Sequence, residues 1–217
     1  MRTIRAATML AIVLFFGLTI LSASGCGVAF QLLGAWRGNE RPPKYAGLKG
    51  KRVAVICFDA NNLRGPNNDP EVIAKTVSTL LGHKIKDIKL VNQQEIADWI
   101  DTREQTVDYR EIGRGVKADM VLGIDLRSFT IHEPGGSLLQ GRAEVEYRVY
   151  DLSKPNEPVY GPVVERIRFP EHSPRPITDN EGNFRYIFSD TVAKRIARDF
   201  FPFDHMDDWG KDASFID

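Results

Sequence analysis

From Arg142 to Asp151 the chain alternates strictly. Ala143, Val145, Tyr147 and Val149 occupy one set of positions, and Arg142, Glu144, Glu146, Arg148 and Tyr150 the other. Successive side chains of a strand point to opposite faces, so this segment reads as a strand with one buried and one solvated face, as in antiparallel sheets. Ser153-Lys-Pro-Asn-Glu-Pro158 turns the chain, and Val159 to Phe169 returns with Val163, Ile167 and Phe169 on one face. Upstream, Asp119 to Ile131 is strand-like and is closed by the turn Glu133-Pro-Gly-Gly136. A long antiparallel β-meander is expected here.

Ahead of it the period is different. Arg52 to Phe58 is a continuous apolar, β-branched run, which suits a strand covered on both faces. A polar loop, Asp59 to Asn68, follows. The spacing then predicts a helix with Asp69 as N-cap and Pro70 at its first position. Its apolar stripe is Val72, Ile73, Thr76, Val77, Leu80 and Leu81, and Gly82 is a suitable end. A short strand, Ile88 to Val91, leads to Asn92 and Glu95, spaced as in a capping box. The second helix turns Ile96, Trp99 and Ile100 inward, and a third, near Val107 to Val116, offers Tyr109, Ile112 and Val116. Phe184, Phe188, Val192, Ile196 and Phe200 recur every four residues, so a core-facing helix is predicted from Asn180 to Phe201, ended by Pro202. The fold class expected is α+β: one mixed sheet with the meander, and helices packed on it including the C-terminal one.

The N-terminus follows another logic. Arg2 and Arg5 precede a stretch with no charge before Arg37, and small residues stand at Ser22-Ala-Ser-Gly25. Positive, apolar and small segments in that order make a secretory signal. An uncleaved anchor helix and a soluble secreted product are the other readings, because Ala6 to Trp36 supplies the ~20 apolar residues of a span. All three place the folded part across a membrane. Residues 37–50, RGNERPPKYAGLKG, read as a tether. The expected division is signal peptide 1–25, lipidated linker 26–50, α+β domain 51–201, and an acidic, mobile tail 202–217.

Cys26, after Ser24 and Gly25, resembles the lipobox cysteine of bacterial lipoproteins. Ala23 stands where that family usually carries Leu. The resemblance implies cleavage before Cys26, acylation there, and a membrane-tethered product in the cell envelope, with Gly27 pointing to the outer membrane and the domain on the periplasmic side. Further stretches resemble the curli-secretion lipoproteins, the lipoprotein activators of penicillin-binding proteins, and the N-terminal domain of the Tol translocation protein. They are Lys51 to Phe58, Leu90 to Ile96, Ala118 to Asp125 and Val149 to Leu152. This implies a non-catalytic domain that binds an envelope protein or associates with itself.

Composition and motifs add exclusions. The chain holds 29 basic and 29 acidic residues, and loss of Arg2 and Arg5 leaves a net charge of −2. That balance gives no reason to expect nucleic acid as a partner. Cys57 is the second of two cysteines, set in an apolar run where it reads as a small hydrophobe. Gly113-Arg-Gly115-Val-Lys-Ala118 matches G-x-G-x-x-A, but it lies between a helix and the following strand rather than the reverse, so both glycines read as helix-end punctuation. His83, His132, His172 and His205 lack a second His or Cys at metal-ligand spacing, and His205 with Asp204, Asp207 and Asp208 reads as a solvated acidic tail. Glu144 and Glu146, flanked by Arg142 and Arg148, read as a solvated sheet face rather than an acid–base pair. No cofactor, metal or catalytic residue is expected.

The loop after the first strand is the candidate partner-binding surface, through Asn61, Asn62, Arg64, Asn67 and Asn68. It leaves the C-terminal end of that strand, where ligands of open α/β sheets sit. The leading reading is a membrane-anchored, non-catalytic protein-binding or assembly module. Alternatives are a subunit of an oligomeric secretion channel, whose pore strands would be the 142–169 hairpin, and a small-ligand-binding domain. Mass spectrometry of the mature protein should find an acylated N-terminal Cys26; an intact Met1 would remove the lipoprotein reading.

Overall fold

The computed structural model describes residues 40–60, 68–103, 108–133, 135–136, 138–154, 157–171, 174–176 and 180–204. These fall into two compact units. The smaller comprises residues 1–41 and 204–207, of which Glu40, Arg41 and Asp204 are described, and Glu40–Arg41 is a short strand in it. The larger unit carries the sheet and the helices.

Its first strand, β1 (Arg52–Asp59), buries Val53, Ala54, Val55 and Ile56 almost completely, as a strand covered on both faces must. The elements that follow are α1 (Asp69–Lys84), β2 (Lys89–Leu90), α2 (Gln93–Asp101), α3 (Tyr109–Gly115), β3 (Met120–His132), β4 (Leu138–Asp151), β5 (Tyr160–Phe169), β6 (Arg175–Pro176) and α4 (Glu181–Ala197), which ends in a 3₁₀ turn, Arg198–Phe200. The strand order is β2-β1-β3-β4-β5, with β6 beside β4. β1 pairs in parallel with β2 and β3. The pairs β3–β4, β4–β5 and β4–β6 are antiparallel. The sheet is thus mixed, and the fold combines α and β elements.

Two apolar cores lie on its two faces. On one, Ile73, Val77 and Leu81 of α1 and Phe184, Phe188, Val192 and Ile196 of α4 pack on Val55, Leu122, Val145, Tyr147 and Val149. The five-fold recurrence from Phe184 to Phe200 is buried throughout, as the spacing predicts. On the other face, Ile96 of α2 and Tyr109 and Ile112 of α3 cover Ala54, Ile56 and Val121. Past that second core, toward β4 and β5, no described helix lies on this face.

Several local expectations are corrected. α1 starts one residue early: Asn68 is its N-cap, without a side-chain cap bond, and Asp69 is instead buried inside the first turn. Its carboxylate accepts a 2.6 Å bond from Arg185 Nη1 of α4, so α1–α4 packing takes this side chain away from capping. Burial nevertheless raises the Asp69 carboxyl above its ordinary range, against the pull of Arg185. Gly82 does not end α1, which runs to Lys84. The Asn92 side chain accepts from Gln94 N–H at 2.9 Å, but Glu95 turns to Arg52 (3.1 Å), so no reciprocal capping box closes. β4 begins at Leu138, four residues before the alternation starts, because Leu139 is buried and β6 pairs there.

The glycines at the end of α3 pack rather than punctuate. A Cβ on Gly115 would sit 2.0 Å from Trp99 Nε1, and one on Gly113 would sit 2.2 Å from Val121 Cγ2. Only glycine lets α3 approach α2 and β3 this closely. The left-handed residue after the helix is Lys117, with φ 54°.

Residues 42–50 also depart from expectation. They belong to the packed unit rather than to a tether. Leu48 is fully buried, Tyr45 stacks on Tyr160 at 5.1 Å, and Tyr45 N–H donates to the Asp199 carbonyl at 2.8 Å. Asp199, 2% exposed, is the meeting point. Its Oδ2 accepts from Tyr147 OH (2.6 Å) and Tyr160 OH (2.7 Å), and Lys44 Nζ lies 2.8 Å from Oδ1. Burial and this carboxylate together push both phenols well above the ordinary tyrosine range. Tyr147→Phe, which removes one donor, should lower stability by about 1–1.5 kcal/mol. Asp199→Ala, which leaves the Tyr147 and Tyr160 hydroxyls without their acceptor, should cost ~3 kcal/mol or more in urea denaturation.

Candidate functional site

The sequence points to the C-terminal end of β1, and a cleft does lie there. It is an open cleft of about 420 Å³ between the start of α1 and the length of α2, lined by Cys57, Phe58, Asp59, Asn68, Glu71, Lys75, Gln93 and Asp101 among others. Of the predicted loop residues, Asn68 borders this cleft; Asn61, Asn62, Arg64 and Asn67 lie outside the described residues. Gln93 Nε2 is engaged by Val55 O (3.1 Å) and Ser78 Oγ (2.9 Å), which fastens α2 to β1 and α1. Cys57 is partly buried, and burial pushes its thiol far above the ordinary range, which suits a packing role better than a nucleophilic one.

The second candidate is the sheet face that no described helix covers. The sequence reads this face as solvated; it is a lattice of charge. Glu146, at its centre, is 3% exposed and is reached by Arg127 and Arg148. Arg148 also reaches Asp125 (3.2 Å), which accepts from Tyr109 OH at 2.7 Å. Arg127 lies 3.6 Å from Glu144, and Arg166 Nε donates to Glu144 at 2.9 Å. Arg127 stands where the β3–β4 register shifts between Leu126 and Ser128, and the extra residue lets its guanidinium reach over the β4 carboxylates. The paired-carboxylate motif was visible in the sequence. Arg127, Asp125 and Arg166 were not linked to it there, because they belong to neighbouring strands whose register the sequence does not state.

The lattice is unbalanced. Asp125, Glu144 and Glu146 face Arg127, Arg142, Arg148, Arg166 and Arg168. Arg142 and Arg168 are direct cross-strand partners, an unfavourable like-charge pairing. Arg142 Nη2 donates to Gln140 Oε1 at 2.6 Å, and Arg168 has no ion pair among the described residues. Val164, on the same face of β5, is 48% exposed; with Tyr186 it makes up the exposed large hydrophobic residues among those described.

The remaining predicted residues do not assemble a site. No metal-holding cluster of His, Cys, Asp and Glu occurs among the described residues. His132 Nε2 lies 3.2 Å from Glu181, while His172 and His205, with the tail from residue 205 on, fall outside the described residues, as does Cys26. No helix among the described residues is long and apolar enough to cross a membrane. Val145, Tyr147 and Val149, the apolar face of the hairpin proposed as a pore strand, are buried under α4.

Neither a family model nor a curated protein sequence matches the chain. Several solved structures match it weakly, all at TM-scores below 0.5. The PelC dodecamer from Paraburkholderia phytofirmans is 12% identical with a TM-score of 0.41, over 72% of this chain and 91% of that one. Lipoprotein GNA1162 from Neisseria meningitidis is 12% identical with a TM-score of 0.42, over 67% and 97%. Protein XCC0632 from Xanthomonas campestris, of family model DUF330, is 11% identical with a TM-score of 0.39, over 73% and 86%. These three do not single out the curli-secretion, penicillin-binding-protein-activator or Tol group. At these TM-scores neither a family nor a residue role is drawn from them.

Glu146 neutralises the middle of the lattice, so its removal has a definite consequence. Glu146→Ala should destabilise by ~2 kcal/mol, less than for a fully buried pair because Arg127 is half exposed. Glu146→Ala with Arg148→Met should recover part of that loss in thermal or urea unfolding.

Proposed function

We propose that this chain is a cell-envelope lipoprotein, held by acyl chains on Cys26, whose α/β domain binds another protein and performs no catalysis. The observation that carries this reading is the half of the sheet face over β4 and β5 that no described helix covers. It is neither a plain solvated face nor an apolar core face. A buried carboxylate holds a set of arginines in fixed positions, and an exposed valine stands among them. Arginine held by neighbouring carboxylates around an apolar contact is the composition of protein-recognition surfaces, where it supplies planar, directional hydrogen bonds. The charge-free apolar stretch ahead of Cys26 supports the tether, and Gly27 supports the outer membrane with the domain on the periplasmic side.

Chemical crosslinking in intact cells should yield a membrane-fraction adduct of this chain with another polypeptide. Absence of any adduct, together with a lone monomer in mild detergent, would overturn the protein-binding reading.

A further inference from the structure

We infer that the free edge of β5 accepts an extended acidic segment of a partner protein, which adds to the sheet as a further strand. The inference rests on the protein-binding reading and names the partner's chemistry.

Three observations converge on this edge. The first is backbone. β5 lies at the end of the strand order and pairs with β4 on one side only; past Pro162, which has no N–H to offer, Val163 to Phe169 run in unbroken register with β4. The other end of the order, β2, is a two-residue strand. Among the described residues no backbone hydrogen bond joins the outer side of Val163 to Arg168 to another segment. A long unpaired edge is a template for strand addition, which proteins use to capture extended peptides.

The second is charge. Val164, Arg166 and Arg168 occupy alternate positions of β5, so all three project on the helix-free face. Arg166 is 83% exposed at its side chain, and its bond to Glu144 uses Nε, leaving the outer guanidinium nitrogens directed away from that bond. Arg168 stands opposite Arg142 with no carboxylate between them. A strand laid beside β5 would bring its own alternate side chains ~5 Å from these residues. Carboxylates opposite Arg168 and Arg166 would relieve the like-charge pairing and form planar two-point contacts.

The third is the apolar neighbour. Val164 is two residues from Arg166 along the same face and remains half exposed. It fixes the third position of the recognised pattern. The segment expected is therefore acidic, any, acidic, any, apolar, read either way along the added strand. A phosphate-rich polymer would satisfy the arginines but leave Val164 and the unpaired backbone unused, which is why a polypeptide is the occupant.

The test is site-specific photo-crosslinking in intact cells, with the crosslinker placed singly at Val164, at Arg168, at Asn68 beside the cleft, and at Tyr186 on α4. Adducts are expected from the β5 positions, with the joined peptide mapping to an acidic extended segment of a different protein. The double reversal Arg166→Glu and Arg168→Glu should reduce that adduct at least ~10-fold. Circular dichroism of the variant controls for folding. Adducts confined to Asn68 or Tyr186 would overturn the edge assignment and leave the protein-binding reading standing, whereas no adduct at any position would sink both. An adduct to a second copy of this chain, or to a segment without acidic residues, would also overturn it. As an independent readout, the purified protein should bind a ten-residue peptide containing Glu-Thr-Glu-Thr-Val, but not its counterpart with Lys in place of Glu. N-methylation of the backbone groups on one edge should abolish that binding; equal binding after N-methylation would rule out strand addition.

Discussion

The carboxylate of Asp199 holds this fold together at the place where its parts would otherwise separate. It sits just after α4, yet it accepts from a tyrosine on β4 and another on β5, and it meets the lysine of the segment that enters the domain. A buried carboxylate without such partners would be strongly unfavourable. With three donors it becomes a fixed point, and the helix, two strands and the entry segment must all be in place before it is satisfied. The stacking of Tyr45 on Tyr160 and the approach of both to Phe200 complete that corner with apolar contact. Lys44 and Tyr45 would otherwise be an unconstrained stretch next to two prolines.

The two faces of the sheet are finished in different ways. One is sealed by α1 and α4 along its whole length, including Gly141, where the absent side chain admits the ring of Phe188. Among the described residues, the other is sealed by α2 and α3 only over β1 and the first part of β3. Tyr109 marks the boundary. Its ring packs toward Phe58 and Tyr150, and its hydroxyl bonds to Asp125, so the last aromatic of the covered half touches the first carboxylate of the charged half. The charge lattice takes over where the helices stop. Its arginines and carboxylates satisfy one another where a helix would have supplied apolar contact.

How much of this was legible in the sequence depended on range. The buried run Val53 to Ile56, the Phe184-to-Phe200 recurrence and the Ala143-to-Val149 alternation were all readable, because each is a local period imposed by one element facing one core. What was missed depends on partners distant in the chain. Asp69 looks like a cap until Arg185, from α4, claims it. Glu146 looks solvated until the register with β3 brings Arg127 over it. Gly113 and Gly115 look like punctuation until the ring of Trp99 and the side chain of Val121 fill the space above them. Leu48 was hidden for another reason: one apolar residue among glycine, proline and lysine has no period to reveal it. A candidate surface after β1 could be proposed from position in the sheet alone, whereas the lattice over β4 and β5 required three strands in register.

The clamp on Lys44 and Tyr45 also decides how the domain would carry a mechanical load. In the proposed lipidated form, any pull on the acyl anchor arrives through residues 27–41 and enters the domain at this corner. The force is delivered to Asp199 and spread across α4, β4 and β5, so it loads several elements at once before it reaches β1, which is held by a neighbour on each side.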